Sequence, residues 1–235
     1  MTVLRKKRSS PAFHNPAGTM VLRIADELGR LSTGGVAAMR AATALKHAAM
    51  QPHNAGAIVS AGGVPALVAL LSAGNSPELQ DEAAAVLRAL CMGSSAHRAA
   101  ICDAGAVPLL LELLLVSDAA ETQEQAAGLL SSLAMAPDGA SAIMTSEGAQ
   151  SLLDVCSSTT SCDGAKLDAA NALHALAATS SGRVALIDAG APSVLAAMQR
   201  DGGPALARGA QAALKRLQGD NAKGSAKPIP KIDDG

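Results

Sequence analysis

The chain has 235 residues, and 49% are apolar, yet it contains no Trp, no Tyr and a single Phe, Phe13, so any core must be built from Ala, Leu, Val, Ile and Met. Ala and Leu lead the helix-propensity scale while the β-branched and aromatic residues that sheets favour are sparse, which points to closely packed helices. Subtracting the four positive charges of Arg5, Lys6, Lys7 and Arg8 from the net −1 leaves −5 for residues 16–235, a mildly acidic body that argues against a nucleic-acid footprint.

In chain order, residues 1–17 come first: basic, with two prolines and too little apolar material to offset the entropy of ordering. They predict a flexible segment. The run Arg5-Lys6-Lys7-Arg8 has the form of a nuclear-import signal or of a contact for acidic lipid. No apolar stretch of about 7–15 residues follows it, so a secretory leader is not supported. The expected setting is cytoplasmic or nuclear. The longest apolar run, Leu109 to Val116, is short and broken by Glu112. That predicts a chain with no membrane span, which would need about 20 such residues.

From residue 18 onward the chain repeats itself. Ala61-Gly62-Gly63-Val64-Pro65 returns as Ala104-Gly105-Ala106-Val107-Pro108, then Glu147-Gly148-Ala149-Gln150-Ser151, then Ala189-Gly190-Ala191-Pro192-Ser193, the glycines stepping by 43, 43 and 42 residues. After each glycine a long helix is predicted from apolar residues at i, i+3 and i+4: Leu67, Leu70 and Leu71, answered by Leu110, Leu113 and Leu114, with Leu153 and Leu195 opening the later copies. A second long helix carries Ala83, Ala84, Leu87 and Leu90, answered by Ala126, Ala127, Leu130 and Leu133, and by Ala169, Ala170, Leu173 and Leu176. A short apolar piece with Ile58, Ile101, Met144 or Leu186 then leads to the next glycine and predicts a short third helix. The glycine supplies the positive φ of a sharp helix end, and Pro65 and Pro108 suit the first turn that follows. The units fall near 18–61, 62–104, 105–147, 148–189 and 190–218, with residues 219–235 expected as a flexible tail.

Three helices per unit, a period near 42 residues, the run Gly-Ala-Val-Pro-Leu-Leu-Leu-Glu-Leu-Leu at 105–114 and Gln-Glu-Gln-Ala-Ala at 123–127 resemble the armadillo-repeat family, of the β-catenin and importin-alpha kind. The resemblance implies an all-α, right-handed solenoid of about four to five repeats that lays another protein, as an extended peptide or a helix, in a concave groove lined by the second long helices. In proteins of the importin-alpha type these helices carry a ladder of Trp and Asn. Here the Trp positions hold Ala85, Gly128, Asn171 and Ala212, and the Asn positions hold His47, Ala89, Ser132, Ala175 and Arg216, so the ladder is absent. Register alone nominates Arg88, Ala89, Ser131, Ser132, Asn171, His174, Ala175 and Arg216 as groove residues. Aromatic anchors would come from the partner.

The resemblance also allows two narrower roles, the substrate-recognition part of a ubiquitin-ligase system and a divergent importin-alpha-like transport adaptor. No catalytic residue, cofactor, metal ligand or small-molecule substrate is expected. Cys91, Cys102, Cys156 and Cys162 form no Cys-x-x-Cys pair, and the five histidines are scattered over loops and different units. Glu82, Glu124 and Asp168 recur near the start of the second long helix, where a negative charge suits the helix dipole. The expected oligomeric state is a monomer.

Overall fold

A computed structural model describes residues 16–117 and 119–219. Among the described residues there are fourteen α-helices and no strand. In chain order they are α1 (Pro16–Leu31), α2 (Gly35–Ala49), α3 (Pro52–Ser60), α4 (Gly63–Ala69), α5 (Pro77–Cys91), α6 (Ser95–Asp103) and α7 (Ala106–Val116). There follow α8 (Ala120–Ala134), α9 (Pro137–Thr145), α10 (Gly148–Ser157), α11 (Asp163–Leu176), α12 (Ser180–Asp188), α13 (Ala191–Asp201) and α14 (Pro204–Gln218). No single described helix is long and apolar enough to cross a membrane.

The long helices α2, α5, α8, α11 and α14 pack each against the next, as do α7, α10 and α13, so each layer packs its helices on those of its neighbours, as in a solenoid. Small side chains set the spacing of the first stack. Ala83, Ala84, Ala126, Ala127, Ala169 and Ala170 are all at most 1% exposed, which lets successive long helices approach closely. Leu87, Leu90, Leu130, Leu133, Leu173 and Leu176 fill the space beneath them, each removed from water. Burial of one such leucine stabilises by about 1.5–3 kcal/mol.

Each short helix is joined to its neighbours by a tight turn on either side. At the start of α3 and α6 the third helical residue meets a carbonyl at the end of the preceding long helix; in α9 and α12 that residue is Gly139 or Gly182, with the carbonyl of Leu133 or Leu176 where a Cβ would stand. Asn54 Nδ2 donates to the Ala48 carbonyl at 3.1 Å, and His97 Nδ1 lies 3.2 Å from the Leu90 carbonyl. Arg98 and Arg183 add donors to the terminal carbonyls of Cys91 and Ala177, at 2.7 and 3.2 Å. These contacts satisfy acceptors that have no intrahelical partner.

At the other end, the left-handed residue is Gly62 (φ 77°), Gly105 (φ 80°) and Gly190 (φ 84°), but in the third copy it is Glu147 (φ 57°) and not Gly148. The sequence alignment on Gly148 is therefore one residue late. The true steps place Leu152, fully buried, where Leu153 was expected, and Ile143, fully buried, where Met144 was expected; Met144 is only half-buried. Gly148 corresponds instead to Gly63: at both, a Cβ would run into the preceding isoleucine, Ile143 or Ile58, at 2.6–2.7 Å. The conserved geometry is the turn, and in this copy a glutamate has been forced into it.

A left-handed non-glycine residue costs about 1–2 kcal/mol, part of which a glycine returns as unfolded-chain entropy. Glu147→Gly is therefore expected to raise the unfolding free energy in urea by about 0.5–1 kcal/mol, whereas Gly105→Ala should lower it by about 1 kcal/mol. Equal midpoints for wild type and Glu147→Gly would contradict the assigned turn.

Candidate functional site

The exposed side of the α2, α5, α8, α11 and α14 stack carries all eight residues nominated by register. Ala89 and Ala175 are half-buried and packed against the core, so they form floor and not rim. Ser132 donates to the Gly128 carbonyl of its own helix at 2.9 Å, a contact that ties up its hydroxyl. Ser131 is half-buried and Asn171 is exposed. His174 and Arg216 are brought together: Arg216 Nη1 lies 3.2 Å from His174 Nε2, while His174 Nδ1 lies 3.1 Å from the Ala212 carbonyl. An arginine can only donate, so Nε2 accepts and Nδ1 carries the proton given to Ala212.

Arg88 makes the longest reach. Its guanidinium crosses α8 and pairs with Asp168 on α11, two layers away, at 3.9 Å. The crossing point is Gly128, where a Cβ would stand 2.7 Å from both Arg88 Nη1 and Asp168 Oδ2. The position that would hold an indole in the importin pattern is thus empty of side chain and roofed by an ion pair. One layer back, Lys46 Nζ donates to Glu82 Oε1 at 2.7 Å, the tight counterpart of the loose Arg88–Asp168 contact. Register explains the difference. Arg88 is the equivalent of Lys46, but the residue equivalent to Glu82 in the next layer is Gln125, so Arg88 passes over it to the following acid.

Glu82 and Asp168 therefore act as partners for cations and not as dipole caps. Both lie beyond the first helical turn; the first-turn acids are Glu78, Glu121 and Asp163. Glu124 stands beside Cys162, whose Sγ is 3.9 Å from Glu124 Oε2. Lys46 is legible as a groove residue only through the alignment of Lys46, Arg88, Ser131, His174 and Lys215 at one register position, and Asp168 only through that of Glu82, Gln125 and Asp168 at another.

Elsewhere the titratable groups look structural. Burial pushes the thiols of Cys91 and Cys156 up to about 12, which leaves them protonated and poor nucleophiles at neutral pH. Burial likewise raises the Asp81 carboxyl, and the nearby charges of Glu121, Glu78 and Glu82 add to the rise, while the Thr122 hydroxyl pulls it the other way. Asp81 Oδ1 and Thr122 Oγ1 are nonetheless both buried without a bonding partner. Among the described residues no group of three or more His, Cys, Asp or Glu is placed to hold a metal ion. Two clefts, of about 790 and 580 Å³, lie at the other edge, between the α10–α11 and α13–α14 connections and between the α4–α5 and α7–α8 connections; none of the eight nominated residues lines them. Arg5, Lys6, Lys7 and Arg8 lie outside the described residues.

Two substitutions check these contacts. Gly128→Ala gains about 0.5–1 kcal/mol of helix propensity and displaces only a pair of flexible charged ends worth less than that, so urea unfolding should show a net gain of about 0.5 kcal/mol; a loss would mean that the Arg88–Asp168 pair is stronger than its length indicates. For Asp81, a carboxyl whose pKa rises on folding destabilises the fold once ionised: the penalty is absent at low pH and develops as pH rises through the carboxylate range. Asp81→Asn is expected to raise the urea midpoint at about pH 7 and to leave it unchanged at about pH 3, where wild type is already neutral.

The family profile for Armadillo/beta-catenin-like repeat matches residues 51–92 and 94–135. No curated protein sequence matches the chain. Among solved structures, the chain is similar to an engineered protein at 32% identity, with 83% of this chain and 79% of that one aligned at a TM-score of 0.77. It is also similar to a designed armadillo repeat protein in complex with the peptide (KR)4, at 20% identity over 86% of this chain and 83% of that one, TM-score 0.77. Computationally designed armadillo repeat proteins for modular peptide recognition superpose with a TM-score of 0.73 at 21% identity, over 84% of this chain and 80% of that one. With three-helix layers stacked at a 42–43-residue step, a left-handed residue at each corner and these matches, the chain belongs to the armadillo-repeat family.

Proposed function

We propose that this protein is a non-catalytic scaffold that binds a peptide or helix of another protein along the exposed side of α2, α5, α8, α11 and α14. The observation that carries the reading is the state of that surface. It is continuous across five layers, its floor is small, at Ala89, Gly128 and Ala175, and its central cation, Arg88, is held only by a 3.9 Å contact that leaves its five N–H donors without a hydrogen bond among the described residues. A guanidinium in that state is ready to bind carbonyl or carboxylate oxygens of a chain laid across it. The likeness to designed repeat proteins that take peptides supports the same reading. The reading includes a monomer in the reducing setting of cytoplasm or nucleus, where the four free cysteines remain thiols.

The test is affinity capture from a native lysate with mass-spectrometric readout, using wild type and a variant carrying Ala89→Glu, Ser132→Arg and Ala175→Glu, with circular dichroism matched between the two. Specific partners are expected with wild type and should be lost, by at least about tenfold in recovery, with the variant, since each substitution puts a charge into the half-buried floor. Partners that persist on the folded variant would move the binding site to another surface.

A further inference from the structure

The long-helix surface has a polarity of its own along the helix axes. The first turns of α5, α8 and α11 carry the exposed acids Glu78, Glu121 and Asp163. Towards the C-terminal ends, at one register position, stand Lys46, Arg88, Ser131, His174 and Lys215. The acids that accompany Lys46 and Arg88 lie beneath them. Side-chain exposure is 33% for Lys46 against 19% for Glu82, and 40% for Arg88 against 20% for Asp168, so solvent meets the cation of each pair first. Arg216, exposed beside His174, extends the basic side into the last layer.

A second, independent row runs parallel to the first. Met50, Met92 and Met135 are 69%, 85% and 73% exposed, and they cap α2, α5 and α8. All three keep right-handed helical backbone, so each sits one turn beyond Lys46, Arg88 and Ser131 respectively, at i+4 on the same face. Three highly exposed methionines repeating at the layer step are not explained by packing. A flexible, polarizable thioether is suited to contact with bulky apolar groups of varied shape. The described surface itself offers no aromatic anchor, since the chain's single aromatic residue is Phe13.

Resting on the scaffold reading above, we infer that this strip takes an extended partner segment in which Asp or Glu side chains alternate with large apolar ones. In an extended chain successive side chains point to opposite sides. A segment laid across the helices then presents its acids to Lys46, Arg88, Lys215 and Arg216, and its apolar side chains to the row of Met50, Met92 and Met135. A ligand carboxylate replaces Asp168 as the close partner of Arg88. The acids at the far edge repel the segment from the opposite half of the surface and so fix its position. The lengths agree: about twelve extended residues reach about 40 Å, the span of five helices stacked about 8–10 Å apart.

Fluorescence anisotropy with labelled synthetic peptides tests the assignment, with (Glu-Leu)6 as the probe and (Ser-Leu)6, (Glu-Ser)6 and (Lys-Arg)6 as controls. The 235-residue chain is expected to bind (Glu-Leu)6 at least about tenfold more tightly than any control, with affinity falling as salt is raised. Arg88→Ala should weaken that binding by about five- to tenfold, and Met92→Ser with Met135→Ser by a similar factor, while leaving the melting curve in place because the methionines are exposed. Tighter binding of (Lys-Arg)6, or an affinity for (Glu-Leu)6 that neither variant changes, overturns the inference. If natural partners are lost from the Ala89, Ser132 and Ala175 variant while (Glu-Leu)6 fails to bind, the scaffold reading stands and the acidic-apolar segment is wrong.

Discussion

Close approach of the long helices through alanine is the constraint on which the rest of the molecule depends. Ala83, Ala84, Ala126, Ala127, Ala169 and Ala170 meet neighbouring helices where larger side chains would hold the layers apart. A core without aromatic residues has little volume per side chain, so native packing density can be reached only by bringing backbones together. Leucine and isoleucine then fill what remains, one set under the long helices and one, Ile58, Ile101, Ile143 and Leu186, under the short ones. Each layer buries its apolar face only against its neighbours, which is why an array can be extended by repetition while its ends must differ.

The same closeness shapes the electrostatics of the exposed surface. When helices stand near together and one of them presents Gly128, a side chain as long as Arg88 can pass over a whole layer and meet Asp168 beyond it. Lys46 and Glu82, in adjacent layers with no gap to cross, close to 2.7 Å. The two pairs share a register yet differ in strength, and the difference traces to a single neutral residue, Gln125, at the place where an acid would have shortened the reach. A loose, half-exposed ion pair contributes little to stability, so the surface around Arg88 is better suited to exchange partners than to lock the fold.

The corner between each short helix and the next layer adds a second lesson about tolerance. Gly62, Gly105 and Gly190 adopt the left-handed turn without strain, whereas Glu147 occupies it with φ 57°. The packing on either side, with Ile143 and Leu152 both fully buried, outweighs the strain of about 1–2 kcal/mol that the turn imposes on a side-chain-bearing residue. Gly148 is retained one position later because the backbone there runs against Ile143.

Much of the fold was legible in the sequence. A composition without aromatics, leucines at helical spacing and a recurring glycine step determine an all-helical array, because period and propensity are local properties that repeat with the units. The eight groove residues were legible only as a register, since alignment says which positions are equivalent and not what each side chain touches. Three-dimensional packing decided that Glu147 and not Gly148 makes the third corner, a shift of one residue that only a backbone dihedral reveals. It also decided that Arg88 reaches Asp168 across Gly128, that Arg216 meets His174, and that Met50, Met92 and Met135 stand in water beside Lys46, Arg88 and Ser131. The sequence by itself determined the repeat and the elements it folds into, whereas contacts between residues some 36 to 80 positions apart were settled by how closely the layers stack and which side chains were small enough to let others pass.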